Sequence, residues 1–381
     1  MNSHPGLTVP PPIPISTTNK LSSPANNSFL EPLYTNPLIA SVANVYNRFQ
    51  AKRDLLGLTN PGTVENVSKE VQRDVFLNNS AFSGVRAELQ KAFSMSPLFQ
   101  VCHSFSAGNQ QMPPYVFMAL YGTNKVFCQG NLESDLSFAA RFNYRWSPRW
   151  VTKTQAQISP GGGMAGPGSA QFQIENDYIG NDFTAQLKAI NPSMLEGALT
   201  GIFVGSYMQS ITPRLALGLE AVYNRLAANM GPESVLSYAA RYKGDDWIAS
   251  GQLLTQGSLS AAYWKRISDK VEAGIDINLV GAAAGPGAGM MGMPKREGTA
   301  TLGAKYDFRA SNFKAQIDTN GRVACVLEKR IVPVVGVTFS GELDHSKNSA
   351  KLGLAVSIEA ADEEVMAQQE RGMLEPVSPP F

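Results

Sequence analysis

KLGLAVSIEA, residues 351–360, alternates without interruption. Successive side chains of a strand point to opposite faces. Leu352, Leu354, Val356 and Ile358 therefore share one face, and Lys351, Gly353, Ala355, Ser357 and Glu359 share the other. Such a strand can lay its apolar face on a protein core or on lipid. The alternation alone does not choose between them.

The same period runs back to about Phe82. It predicts nineteen strands: 83–93, 98–106, 115–122, 125–132, 135–146, 149–159, 169–178, 182–190, 198–209, 213–225, 234–243, 246–255, 258–266, 270–280, 298–308, 312–319, 322–330, 334–344 and 350–358. Turn residues separate many of them, as at Thr123-Asn124, Ser147-Pro148, Gly180-Asn181, Gly244-Asp245 and Asn320-Gly321. In VEAGIDINLV (271–280), Val271, Ala273, Ile275, Ile277 and Leu279 oppose Glu272, Gly274, Asp276 and Asn278. In DLSFAARFNYRW (135–146), Leu136, Phe138, Phe142, Tyr144 and Trp146 oppose Asp135, Arg141, Asn143 and Arg145.

Three features favour lipid. A long meander with short turns closes most naturally into an up-and-down barrel. The polar faces carry ions of both signs, and a barrel this wide keeps a wet lumen for them. Trp146, Trp150, Tyr178, Tyr223 and Trp247 sit near strand ends, where an interfacial girdle places aromatics. An odd strand number makes the first and last strands run the same way, so closure needs one parallel pair between 83–93 and 350–358.

The totals exclude several classes. Charged residues are 17% of 381, below the ~25% usual for soluble domains. A net charge of +1 offers no basic stripe for nucleic acid. No run of 18 apolar residues marks a membrane-spanning helix, which leaves a β-barrel open. Residues 1–15 show neither a secretory signal nor the repeated Arg of a transit peptide. Cys102, Cys128 and Cys325 are scattered, which fits neither a disulfide framework nor a zinc site. The Gly-rich loops 159–169 and 281–296 lack the GK[ST] ending of a phosphate-binding loop. Asp344-His345 reads as a strand end, and His103 as an interfacial residue. No metal, cofactor or catalytic constellation emerges, so we expect no enzyme.

The chain divides into a Pro/Ser/Asn-rich extension expected to be disordered (1–35), a helical segment (36–81), the barrel (82–358) and an acidic tail (359–381). A helix capped at Asn36-Pro37 would carry Leu38, Val42, Val45 and Phe49 on one stripe and stop at Gly57. A second, after Asn60-Pro61-Gly62, would carry Val64, Val67, Val71 and Val75.

Residues 60–100, 208–225, 245–253 and 298–330 closely resemble the channel subunit of the mitochondrial outer-membrane protein translocase in its fungal form. The resemblance spans about 36–360 and covers neither 1–35 nor 281–296. It implies an all-β, 19-stranded transmembrane barrel with the preceding helical segment inside the pore, and a conduit for unfolded precursors with cationic presequences. It implies as partners a central receptor subunit, small single-helix subunits, presequence receptors, a second copy of the chain and membrane lipids. It also implies that Lys351, Gly353, Val356 and Ile358 form the C-terminal sorting signal read by the barrel-assembly machinery.

Presequences are Arg-rich amphipathic helices. A channel for them should offer weak, repeated carboxylates, each worth only ~0–1 kcal/mol. Strand phase places Glu88, Asp135, Glu175, Asp177, Glu220, Glu272, Asp276, Asp318, Glu328 and Glu342 toward the lumen, with Arg141, Arg145, Lys188, Lys305 and Lys314 elsewhere on the same wall. Val42, Val45 and Phe49 on the inner helix would hold apolar precursor segments. The alternatives are a metabolite and anion porin of the same barrel class, and a soluble β-rich binding protein.

Overall fold

Nineteen strands follow one another around a closed sheet in the computed structural model. The structure describes residues 53, 56–77, 81–109, 112–161, 168–194, 199–225, 231–254, 257–280, 297–332, 334–361 and 379–380. The described residues from Leu56 onward belong to one compact unit. The expected helix with Val42, Val45 and Phe49, the extension 1–35 and the loop 281–296 lie outside the described residues.

The strands are β1 (Gly84–Met95), β2 (Leu98–Ala107), β3 (Tyr115–Gly122), β4 (Val126–Glu133), β5 (Phe138–Ser147), β6 (Trp150–Ser159) and β7 (Ser169–Ile179). There follow β8 (Phe183–Ser193), β9 (Thr200–Ser210), β10 (Leu215–Arg225), β11 (Glu233–Lys243), β12 (Trp247–Leu254) and β13 (Leu259–Ser268). The last are β14 (Val271–Val280), β15 (Glu297–Asp307), β16 (Ser311–Asp318), β17 (Arg322–Val332), β18 (Val335–Asp344) and β19 (Ser349–Ala361). Each pairs antiparallel with the next. β1 and β19 close the cylinder in parallel, from Gly84↔Gly353 to Ala92↔Ala361. This is the closure that the odd strand number demands.

Register carries the alternation around the wall. Leu219 pairs with Tyr207 and Tyr238, and all three are exposed apolar residues. One step along, Glu220 pairs with Ser206 and Ser237 on the opposite face. The first face is a continuous apolar band of exposed Leu, Ile, Phe and Tyr, too extensive for a water-facing surface. The second carries the ions. In a membrane barrel the apolar band meets lipid and the ionic face lines the lumen. Trp146 and Trp150 lie on the outer face with ring centroids 6.2 Å apart, and Trp247 stacks on Tyr242 at 5.2 Å.

The turns follow their residues. Gly180 N–H bonds to Phe183 O at 2.8 Å, and Gly244 N–H to Trp247 O at 2.8 Å. Gly321 holds φ +80°, the left-handed conformation glycine adopts without steric cost. At one hairpin the alternation misleads. β5 begins at Phe138, and Asp135 and Leu136 form the turn before it, with Leu136 at φ +66°.

The second expected helix is only partly regular. Residues 65–68 form turns, and Glu70–Val75 form one π-helical stretch in which Phe76 N–H bonds to Val71 O at 2.9 Å.

Candidate functional site

The segment Thr59–Leu77 lies along part of the inner wall. Asn60 anchors the start. Its Nδ2 donates to Gly180 O and Phe183 O, both at 2.9 Å, and its Oδ1 accepts from Thr184 Oγ1 and Gly62 N–H. Ser210 Oγ donates to Thr59 O at 2.7 Å. Val64 and Val67 then pack on Met208, Ala216 and Ala239. Val71, Val75 and Phe76 pack on Ile248, Ala262 and Trp264. Leu77 packs on Ala324 and Val326, and its N–H bonds to Gln316 Oε1 at 2.9 Å. Phe82 N–H reaches Ser340 Oγ at 3.1 Å.

The chain thus crosses the inside of the wall from β8 to β18. Glycines let it approach: a Cβ on Gly218 would lie 2.9 Å from Val64, and one on Gly303 2.6 Å from Phe76. Charge fixes the same path. Arg241 pairs with Glu70 at 2.5 Å, and Lys188 with Glu65 at 3.4 Å.

The ten carboxylates read from strand phase fall into distinct settings. Glu175 and Asp177 are buried and share Lys153, whose Nζ lies 3.0 Å from Glu175 and 2.9 Å from Asp177. Lys188 stands 3.8 Å from Glu175. Glu88 pairs with Arg86, and Glu342 lies 3.8 Å from Lys351. Asp318 ends β16 and accepts from Thr319 and Asn320 in its own turn.

Asp135 is not on a lumen strand. It sits in the β4–β5 turn, where Ser137 N–H and hydroxyl bond to it at 2.8 and 2.9 Å and hold its carboxyl below the usual range. Five inner positions have no basic ion-pair partner within 4 Å among the described residues: Asp318, held in its own turn, and Glu220, Glu272, Asp276 and Glu328. Asp276 is buried, with Gln72 and Asn278 against it. Glu272 stands opposite Lys305 in the register. Glu220 accepts from Ser237 Oγ at 3.4 Å, and Glu328 is exposed.

Two features of the wall were missed from sequence. Gln129, Asn131, Arg141, Gln155, Gln157, Gln171 and Gln173 line a cavity of about 290 Å³ on β4–β7. On β8–β11, Ile190 pairs with Ile202 and Val222 with both Val204 and Val235, an apolar inner patch. Strand phase could have found both, because each set keeps the inner parity of its strand. Of the sorting-signal residues, Lys351 and Gly353 face inward, while Val356 and Ile358 share the outer face with Leu352 and Leu354.

A closed barrel with a lipid-compatible exterior and an ionic lumen is a channel of the outer-membrane type. The chain belongs to the eukaryotic porin family, whose model matches residues 60–353. It is 49% identical over 351 residues to the mitochondrial import receptor subunit tom40 of Neurospora crassa, covering 92% of this chain and 97% of that protein. It is 42% identical over 347 residues to the TOM40 subunit of Saccharomyces cerevisiae, covering 89% and 88%. The TOM40 homolog of Homo sapiens is 28% identical over 312 residues, covering 79% of each chain.

Proposed function

We propose that this chain is the protein-conducting channel through which unfolded precursor proteins cross the mitochondrial outer membrane. Identity of 49% along nearly the whole chain to an import receptor subunit carries this reading. The wall fits the task. A barrel of more than about 16 strands leaves an aqueous passage. Its lumen carries carboxylates for a cationic presequence, an amide-lined stretch for peptide backbone and an apolar patch for greasy segments.

Glu220, Glu272 and Glu328 form the acidic path. They are wet and separated, so each attracts an Arg or Lys weakly and releases it. The paired acids Glu175 and Asp177 hold the wall together instead. The channel works within the outer-membrane import complex. Its partners are a central receptor subunit, small single-helix subunits, presequence receptors and a second copy of itself. The barrel-assembly machinery reads Lys351, Gly353, Val356 and Ile358 as an added strand.

Single-channel current through the purified protein, with and without a cationic presequence peptide, tests the reading. Cation-preferring pores blocked by the peptide in a voltage-dependent way are expected. Anion-preferring pores indifferent to the peptide would instead assign a metabolite porin.

A further inference from the structure

Pro379 and Pro380 are buried on the inner wall. They meet the two ends of a row of consecutive cross-strand partners, Gly122 on β3, Phe127 on β4 and Asn143 on β5: Pro379 lies against Gly122 and Pro380 against Asn143. Asn143 Nδ2 donates to Pro380 O at 2.6 Å. A Cβ on Gly122 would lie 3.1 Å from Pro379 Cγ, so the absent side chain makes the seat for the ring. Phe127 is 1% exposed and Asn143 0%. Arg141, two residues from Asn143 on the same face, lies with its guanidinium 5.8 Å from the Phe127 ring centroid. Asn143 Oδ1 is buried and has no partner among the described residues, leaving one acceptor for a ligand donor.

We propose that this row is a binding site for an extended, proline-containing peptide segment, filled here by the chain's own Pro379–Pro380. Proline has no N–H, so burying it strands no donor, and only its carbonyl needs a partner. Asn143 supplies that partner. A glycine hollow beside an aromatic ring is the kind of surface on which polyproline-type segments dock, because their extended form is already populated before binding.

The reach is sufficient. β19 ends at Ala361 beside Ala92, on the same side of the barrel as the β3–β4 hairpin. Four strand spacings separate β19 from β4, about 19 Å. Residues 362–378 can extend to roughly 55 Å.

Disulfide trapping in the full chain tests the site, with Cys102, Cys128 and Cys325 first replaced by Ser. The pair Gln129→Cys, two residues from Phe127 on the inner face of β4, with Ser378→Cys leaves the row and both prolines intact and should cross-link readily in the folded barrel. The pair Lys314→Cys with Ser378→Cys, on a distant strand, should not. Adding Asn143→Ala, or Asn143→Asp to remove the donor and keep the shape, should slow the first cross-link about five-fold. Excess synthetic peptide LEPVSPPF (residues 374–381) should also slow it, and the same peptide with both final prolines changed to Ala should not. Equal cross-linking by the two pairs, or a rate unchanged by both Asn143 substitutions, would overturn the proposal.

Discussion

Gly84 and Gly353 stand opposite each other at the start of the parallel seam, and neither has room for a side chain. A Cβ on Gly353 would lie 2.3 Å from Phe82 O, with the Phe82 ring at 2.8 Å. A Cβ on Gly84 would lie 2.3 Å from Ala107 O, and Gly84 also holds φ +86°. The glycine of the expected sorting signal therefore has a second duty, to let the chain turn over the seam as it leaves the lumen for β1. Gly353→Ala and Gly84→Ala should each lower the yield of closed barrel several-fold, read as the heat-modifiable band on gels after assembly into vesicles. Closure at normal yield in both would remove the steric argument.

The two faces of β10 should respond unequally to one substitution. Leu219 lies on the apolar exterior, and Glu220 beside it faces the lumen. Leu219→Lys should destabilise the barrel by ~2–4 kcal/mol if it sits near the bilayer midplane. Glu220→Lys should change folding by less than ~1 kcal/mol. Urea unfolding in vesicles measures both.

Carboxylates on the same wall should separate into two groups. Glu220→Gln, Glu272→Gln and Glu328→Gln together should weaken presequence block, and more at low salt than at high salt, because salt screens such attraction. A block unchanged at low salt would count against the acidic path.

Lys153 should behave as a structural residue. Its removal leaves Glu175 and Asp177 as buried carboxylates without their shared counter-charge. Lys153→Met should cost ~3–5 kcal/mol, as breaking a buried pair does. The same urea unfolding reports it.

The inner segment depends on Val71, which is 2% exposed and lies over Gly274. Val71→Asp places a charge in that contact and should release the segment from the wall. Protease cleavage within residues 59–77 should then become faster while the strands stay protected.

The strands were legible because each side chain's face follows from parity alone, and parity is written in the order of residues. The failures have the same origin. Parity continued through Asp135 and Leu136, where a positive φ at Leu136 had already ended the strand. It also placed Glu175 and Asp177 correctly but could not reveal Lys153 between them, which is a matter of cross-strand register.

Sequence by itself determined the strand count, the inner and outer faces and, through the odd number, the parallel closure. The valine stripe Val64–Val75 announced a buried segment. Only the tertiary structure decided where it lies, which carboxylates remain unpaired, and that Pro379–Pro380 returns to Asn143. Alternation is a local property of the backbone, fixed within a few residues. Ion pairing, glycine hollows and the seat of a distant tail depend on registers and curvature that exist only once the sheet has closed.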